Sequence, residues 1–178
     1  MKKLAFDELS HRIQHDWYHD HQGDPKVPIL FSLSQLDRPK QRLRRALLKS
    51  SIHLADLKAA VVFEDRFNQM VKSKGSKASC AWSFVSGHLE SIWSQFGEYH
   101  PFVVVDRQGG RKNYQSLLES KFTPAEVTTL HESSQKSFYK IACGFRQMFI
   151  QIQVNSEKHH LPVALASMVA KYIRELLM

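Results

Sequence analysis

Cysteine is scarce in this 178-residue sequence, which contains only Cys80 and Cys143. The two residues are too far apart for the short cysteine spacings of a zinc site, and two thiols do not make the disulfide framework of a small secreted domain. The sequence therefore predicts neither structural zinc nor a disulfide scaffold, and it favours a reducing, cytoplasmic location.

Long apolar runs are also missing. No segment approaches the ~20 consecutive apolar residues that a transmembrane helix requires. The N-terminus, MKKLAFDELSHRIQ, begins with a basic pair but lacks the apolar segment of a secretory signal peptide. We therefore expect a protein that neither spans a membrane nor is secreted.

Acidic residues are outnumbered, since 17 Asp and Glu stand against 25 Lys and Arg and give a formal net charge of +8. This excess favours a polyanionic partner such as nucleic acid or acidic lipid, although a basic protein can also be merely soluble. Hydrophobic residues make up 43% of the chain, which is enough for a buried core. At this length we predict one domain over residues 1–178, with a helix and loop at 1–28.

The pattern of apolar residues predicts helices mixed with strands, and hence an α/β fold. Helices are expected at 4–18, 38–50, 76–97, 113–122 and 162–178. Strands are expected at 29–33, 52–64, 102–106, 138–145 and 147–154. The segment 52–64 is ambiguous between helix and strand, and its β-branched end favours the strand.

Three of these helices carry further signals. At 76–97, Ser76 is the expected N-cap and Gly97 the terminator. At 4–18, three histidines share one face, which a solvated surface explains better than a metal site; they are His11, His15 and His19. The helix at 38–50 has Pro39 in its first turn and a basic side that either meets phosphates or is simply solvated. Its cations are Arg38, Lys40, Arg42, Arg44, Arg45 and Lys49.

The segment FVVVD, residues 102–106, is apolar up to its final aspartate and predicts a central strand covered on both faces. Open α/β sheets commonly bind ligands at the carboxyl ends of their strands, so Asp106 stands where a site is expected. Gly109 and Gly110 tolerate positive φ and the close approach of a phosphate. Charge for phosphate oxygens is available close by, from Arg107, Arg111 and Lys112. A glycine turn beside a solvated aspartate fits the same pattern.

A second acidic residue, Glu157, ends the strand predicted before the last helix. Two carboxylates at strand ends could share one metal-binding rim. On the last helix, Ser167, Lys171 and Arg174 are spaced i, i+4 and i+7 and form a polar stripe on an otherwise apolar element. Periodicity alone slightly favours the alternative that Lys171 and Arg174 are ordinary surface charges.

Taken together, VVVDRQGGR and the helix LPVALASMVAKYIRELLM resemble ribonuclease HII and, more closely, the ribonuclease-HII-like proteins of the ribonuclease H superfamily. In that family a strand ends in a metal-binding Asp, which Asp106 matches. A second acidic residue stands ten positions before the Ser of a helix similar to AASIxAKxxRD, and Glu157 stands ten positions before Ser167. Lys171 and Arg174 match the basic residues of that helix. EDRFN at 64–68 and SLSQL at 32–36 are weaker matches.

The resemblance covers residues 29–178 and implies a ribonuclease H-like mixed sheet flanked by helices. It implies a metal-dependent endonuclease that hydrolyses RNA in RNA/DNA hybrids or ribonucleotides in DNA. Asp106 and Glu157 would be the catalytic residues and would hold two Mg²⁺ or Mn²⁺ ions, the hard cations that carboxylate oxygens suit. The resemblance implies contacts to the nucleic acid from Arg107, Arg111, Lys112, Ser167, Lys171 and Arg174.

This sequence also departs from the family pattern. The family opens with a strand that carries an Asp-Glu pair and a glycine-rich turn, and no segment here reproduces it. Leu33 replaces the Asp of the family's Asp-Ser-Lys segment, Glu157 replaces the commoner Asp, and the chain stops at the last helix. We therefore expect a fold incomplete at its first strands and weak or absent hydrolysis by this chain alone. The alternative is an inactive nucleic-acid-binding module, which could self-associate through exposed apolar surface.

Overall fold

The computed structural model describes residues 32–177. The helix predicted at 4–18 with its histidines, and residues 29–31 of a predicted strand, lie outside the described residues. The chain divides into two compact units. Residues 59–167 form one, and the described part of the other comprises 32–58 and 168–177. A single domain over 1–178 stays a prediction.

The described chain is a mixed α/β structure, as expected, with five α-helices and a four-stranded sheet among residues 32–177. In chain order the elements are α1 (Leu33–Lys49), α2 (Glu64–Lys74), α3 (Lys77–Phe96), β1 (Phe102–Asp106), α4 (Gln115–Phe122), β2 (Glu126–Glu132), β3 (Lys136–Cys143), β4 (Arg146–Gln153) and α5 (Leu161–Leu177). Among these residues no helix combines the length and the apolarity needed to cross a membrane.

The sheet has the strand order β1-β4-β3-β2. β1 pairs with β4 in parallel, from Phe102 opposite Phe149 to Asp106 opposite Gln153. β2, β3 and β4 form an antiparallel meander, with an irregularity in β2 after Thr129. The parallel pair therefore brings the carboxyl ends of β1 and β4, and the turn between β2 and β3, to the same edge of the sheet.

The hydrophobic core lies between one face of the sheet and helices α3 and α4. Trp82 and Leu89 of α3 and Leu118 and Phe122 of α4 pack with alternate residues of the strands. The strand residues are fully buried, and they are Tyr139 and Ile141 of β3 and Met148, Ile150 and Ile152 of β4. Because side chains alternate across a strand, the residues between them belong to the other face.

The helix predicted at 76–97 is confirmed as α3. The Ser76 side chain accepts a hydrogen bond from the backbone N–H of Ser79 at 3.0 Å, and the helix ends before Gly97. Gly97 has a right-handed φ of −55°, so its role is not a left-handed cap. A Cβ at this position would lie 2.9 Å from Nε of Arg146, whose guanidinium contacts the Trp93 ring. A side chain at position 97 would therefore have to displace the Arg146 guanidinium.

Two predictions at the start of the described chain are wrong. Residues 32 and 33 do not continue a strand, because Ser32 forms a capping box with Gln35 and Leu33 begins α1. The Ser32 backbone N–H donates to Oε1 of Gln35 at 2.8 Å. α1 therefore starts before the predicted residue 38, and Pro39 lies inside the helix rather than in its first turn. An interior proline costs the helix one backbone hydrogen bond.

The strand predicted at 52–64 is also wrong. Residues 52–63, all of them described, adopt neither strand nor helix, and α2 begins at Glu64. Conversely β2 was not predicted, because Val127 is its one buried side chain and most of its residues are polar. β-branched residues form a strand only where a neighbouring strand can complete the ladder, and that partner is not visible in a local pattern.

β1 is confirmed at 102–106, but its predicted central position is wrong. Among the described strands it lies at the edge of the sheet, with β4 as its neighbour. Phe102 is 55% exposed and Val103, Val104 and Val105 are only partly buried. The uninterrupted apolar run thus belongs to a short edge strand. The strands at 138–145 and 147–154 and the helices at 113–122 and 162–178 are confirmed with shifted ends, as β3, β4, α4 and α5.

Candidate functional site

The carboxyl ends of β1 and β4 form one edge of the sheet, which we call the carboxyl rim and define as residues 106–114, 132–136 and 153–160. Asp106 closes β1 at this rim. Its Oδ1 accepts two hydrogen bonds from Ser156, from the backbone N–H at 3.0 Å and from the hydroxyl at 2.9 Å. Ser156 is fully buried, so Asp106 holds the chain after β4 against the end of β1.

Glu157 follows Ser156 directly in a 3-10 turn, Ser156–Lys158, and is partly buried. Asp106 and Glu157, the two acidic residues predicted to share a site, therefore lie on the same rim although they are distant in sequence. Both hydrogen bonds from Ser156 are accepted by Oδ1 of Asp106. The other carboxylate oxygen, Oδ2, takes no part in the contact with Ser156.

The donor set at the rim does not fit a two-metal centre. Two hard cations about 4 Å apart need several carboxylate oxygens to oppose their charge. Within residues 32–177 no group of three or more His, Cys, Asp or Glu is arranged to hold a metal ion. The rim holds three carboxylates, those of Asp106, Glu132 and Glu157. One oxygen of Asp106 already accepts two hydrogen bonds, and both oxygens of Glu132 accept one each. The described rim is thus too poor in ligands for the pair of ions that the resemblance implies.

Arg107 is engaged in structure at the rim. Its Nη1 donates to the Ser134 carbonyl and its Nη2 donates to the Ser133 carbonyl at 3.2 Å. Its backbone N–H donates to the carbonyl of Gln153 at 2.9 Å. The guanidinium therefore ties the turn between β2 and β3 to the end of β1. A phosphate could recruit this side chain only by displacing those carbonyls.

The other basic residues of the rim are less constrained. Lys112 is exposed, and only its backbone carbonyl is engaged, as the acceptor of the Ser137 hydroxyl at 2.9 Å. The Arg111 guanidinium lies over the ring of Tyr114, 5.8 Å from its centroid. Gly109 has a φ of +58°, as the glycine pattern predicted. Of the predicted phosphate ligands at the rim, Lys112 is the one whose side chain is least engaged.

A buried tyrosine network behind the rim was not predicted. The Tyr139 hydroxyl donates to Oε1 of Glu132 and accepts the backbone N–H of Tyr114 at 3.0 Å. Asn113 donates to the other oxygen of Glu132 at 3.2 Å. Burial raises the pKa of Tyr139 to about 12, and the hydrogen bond to Glu132 acts in the same direction. The signal in the sequence was Tyr139 on the buried side of β3, since a buried tyrosine hydroxyl needs a partner.

The polar stripe of the last helix is distributed along α5. Ser167 is partly buried and ends the unit of residues 59–167. Lys171 and Arg174 are exposed and belong to the smaller unit, and Arg174 donates to the Glu175 carboxylate at 2.8 Å. An ion pair between exposed neighbours contributes little to stability. Both cations remain accessible to solvent.

The smaller unit carries the densest positive charge in the described chain. Six cations of α1 are exposed, namely Arg38, Lys40, Arg42, Arg44, Arg45 and Lys49. No acidic residue occurs between Arg38 and Lys49, and Asp37 just precedes them. Exposed like charges repel one another and so lower helix stability. Such a helix is suited to a polyanion, which would relieve the repulsion.

Comparison with protein-family models, curated proteins and solved structures finds no match to this chain.

Proposed function

We propose that this chain is a nucleic-acid-binding protein of the ribonuclease-HII-like type whose own hydrolytic activity is weak or absent. The observation that carries the proposal is the basic face of α1. All six of its cations from Arg38 to Lys49 are exposed with no acidic residue among them, and four of them share one face at spacings of four, three and four residues, namely Arg38, Arg42, Arg45 and Lys49. A helix of this kind binds phosphates along a duplex and releases their counterions. Lys112 of the rim and Lys171 and Arg174 of α5 are further phosphate ligands in this proposal.

The test is binding of a labelled RNA/DNA hybrid duplex, followed by fluorescence anisotropy from about 50 to 200 mM salt. In the variant that replaces Arg38, Arg42 and Arg45 with Gln, three cations of that shared face, we expect weaker binding. The slope of log Kobs against log salt should become less negative by about one for each phosphate that the variant can no longer bind. Equal binding by this variant and the natural chain would refute the role of α1.

The matched control replaces Lys72, Lys74 and Lys77 with Gln. These lysines are also exposed and belong to α2 and α3, so the control removes the same net charge from other elements. If binding depends only on net charge, the two triple variants will show equally reduced affinity. A greater reduction in the α1 variant supports a defined binding surface.

Metal-dependent hydrolysis is a second candidate, favoured by two observations at one rim: Asp106 accepts hydrogen bonds from Ser156, and Glu157 is the residue that follows Ser156. Its test is incubation of a ribonucleotide-containing duplex with the chain and Mn²⁺ or Mg²⁺, together with the thermal shift caused by each metal. Asp106→Asn keeps an oxygen that can accept from Ser156 but removes the charge. Glu98→Gln, at an exposed position in the 3-10 turn after α3, is the control.

The two candidates predict different results. A binding module gives salt-dependent duplex binding, no efficient cleavage and no thermal shift with Mn²⁺. Efficient cleavage that is abolished in Asp106→Asn and retained in Glu98→Gln would make hydrolysis the function of the chain.

A further inference from the structure

The face of the sheet that points away from α3 and α4 carries an aromatic cluster. Paired residues on neighbouring strands share a face, so the register of β1 with β4 places Phe102 beside Phe149. The register of β3 with β4 places Phe138 opposite Gln151 on the same side. These positions alternate with the buried residues of the core face. We call this side the open face of the sheet.

The three phenylalanine rings are in contact. Phe138 contacts both other rings, with its centroid 5.8 Å from that of Phe102 and 6.1 Å from that of Phe149. Phe102 is 55% exposed, whereas Phe138 and Phe149 are partly buried. Solvated faces of antiparallel sheets are usually polar. An exposed aromatic ring that packs on two others is therefore unusual on such a face. The exposed ring of Phe102 could stack against a planar group of a ligand.

Positive charge is interleaved with these rings. Lys136 lies over Phe138, with Nζ 5.9 Å from the ring centroid, and Lys140 is paired with Phe149. The acidic residues of this face are at its margins. Asp106 of β1 is paired with Gln153 at the carboxyl rim, and Glu126 of β2 is paired with Ala142 of β3 at the opposite end. Lys140 stands in the same cross-strand row as Phe149 and Phe102. Lys136 is paired with Gln153 and so shares the row of Asp106 at the carboxyl rim, two residues along β3 from Phe138.

One part of the open face is closed to ligands. Gln151 is only 6% exposed, and its Nε2 lies 3.2 Å from Nε2 of His160, in the segment leading to α5. Access is therefore greatest at Phe102 on the edge strand.

We propose that the open face binds single-stranded nucleic acid, with a base stacked on Phe102 and phosphates placed near Lys136 and Lys140. Every base has a face that stacks on an aromatic ring, and nearby cations hold the backbone. Apolar protein partners would also fit the rings, but the interleaved lysines favour a polyanion. This site goes beyond the proposed function, which concerns duplex binding by α1, because paired bases are not free to stack on a side chain.

The test is binding of a fluorescein-labelled oligothymidylate of about ten nucleotides, a length within the usual range for one stacking surface. Phe102→Ala should weaken binding about five- to a hundred-fold, the range expected for the loss of one stacked base. Phe102→Trp should restore binding, since the larger ring stacks as well. Thermal unfolding of both variants checks that the sheet is intact.

Phe145→Ala is the matched control. Phe145 is 70% exposed in the turn between β3 and β4, outside the paired strands. It should change affinity less than about two-fold, because an isolated surface side chain has little effect. Equal reductions in Phe102→Ala and Phe145→Ala, or no reduction in Phe102→Ala, would overturn the proposal. So would a sedimentation experiment in which Phe102→Ala abolishes self-association while oligothymidylate binding is unchanged.

Measurements of duplex binding distinguish the open-face proposal from the proposed function of α1. Phe102→Ala should leave affinity for the RNA/DNA hybrid unchanged, and the triple Gln variant of α1 should lower it. If oligothymidylate binding depends on Phe102 while the α1 variant binds duplex normally, the proposed function fails and the open face stands. In the opposite case the α1 variant loses duplex binding, while Phe102→Ala binds oligothymidylate as well as the natural chain does. Only the open-face proposal then fails.

Discussion

On one face of the sheet Ile141, Met148 and Ile150 are fully inaccessible to solvent, whereas on the other Phe102 is 55% exposed and Phe138 lies beside Lys136. Both faces are built from the same strands, and alternation alone assigns each residue to its side. The core face gains free energy by burying apolar area against α3 and α4. The open face keeps Phe102 at the surface and leaves its other rings and its lysines only partly buried, so these side chains contribute less to folding than the core residues do.

The largest difference between the faces should appear when one side chain is truncated on each. Ile150→Ala leaves a cavity in a fully buried position and should lower the free energy of unfolding by about 2–5 kcal/mol. Gln147→Ala, on the open face of the same strand, should change it by no more than about 0.5 kcal/mol. Urea denaturation with an unchanged m-value measures both. Similar destabilisation in the two variants would show that the open face is also part of the core.

A smaller effect is expected for the polar group buried on the core face. Tyr139→Phe keeps the ring but removes the hydroxyl that donates to Glu132 and accepts from the Tyr114 N–H. We expect the free energy of unfolding to fall by about 1–3 kcal/mol, because a buried N–H then has no acceptor. Tyr99→Phe, at an 80% exposed position, is the control and should have no effect. Thermal and urea unfolding of the two variants give the comparison.

The same hydroxyl predicts a dependence on alkaline pH. The pKa of Tyr139 is raised by burial, and then by Glu132, to about 12, whereas an unfolded tyrosine ionises near its ordinary value of 10.0. Its neutral form therefore contributes stability that is fully present below about pH 10 and is lost as the pH rises through about 12. The advantage of the natural chain over Tyr139→Phe should shrink across this interval in urea titrations. A constant difference from about pH 9 to about pH 12 would contradict the assignment.

Much of the larger unit could be predicted from the sequence because the signals are local. The Ser76 cap, the stripe of α3 and the alternation of Gln151 and Gln153 with Ile150 and Ile152 act within a few residues. The edge position of β1, the strand β2 and the irregular segment 52–63 depend on pairing partners distant in sequence. A local pattern cannot identify those partners.

The candidate site divides in the same way. The position of Asp106 at a strand end followed from the apolar run before it. Its two hydrogen bonds from Ser156 were not predicted, because they depend on how the chain turns after β4. Arg107 carries the same charge as Lys112, yet its guanidinium binds two carbonyls of the β2–β3 turn. That difference could not be predicted, because the turn belongs to a strand that the sequence did not reveal.

Lys140→Gln should have the smallest effect on folding and gives the closest comparison of the two faces. The side chain is partly buried on the open face opposite Phe149, and its removal should alter the free energy of unfolding by no more than about 0.5 kcal/mol. Lys140→Gln should nevertheless weaken oligothymidylate binding. The slope of log Kobs against log salt should become less negative by about one, because the variant loses one phosphate contact. Lys121→Gln, on α4, removes the same charge from a helix on the core side of the sheet and should leave the slope unchanged. A phosphate bound at a defined position on the open face should respond to the loss of Lys140 and not to the loss of Lys121. Equal slopes for the two variants would therefore mean that the oligonucleotide is attracted only by the overall charge of the protein.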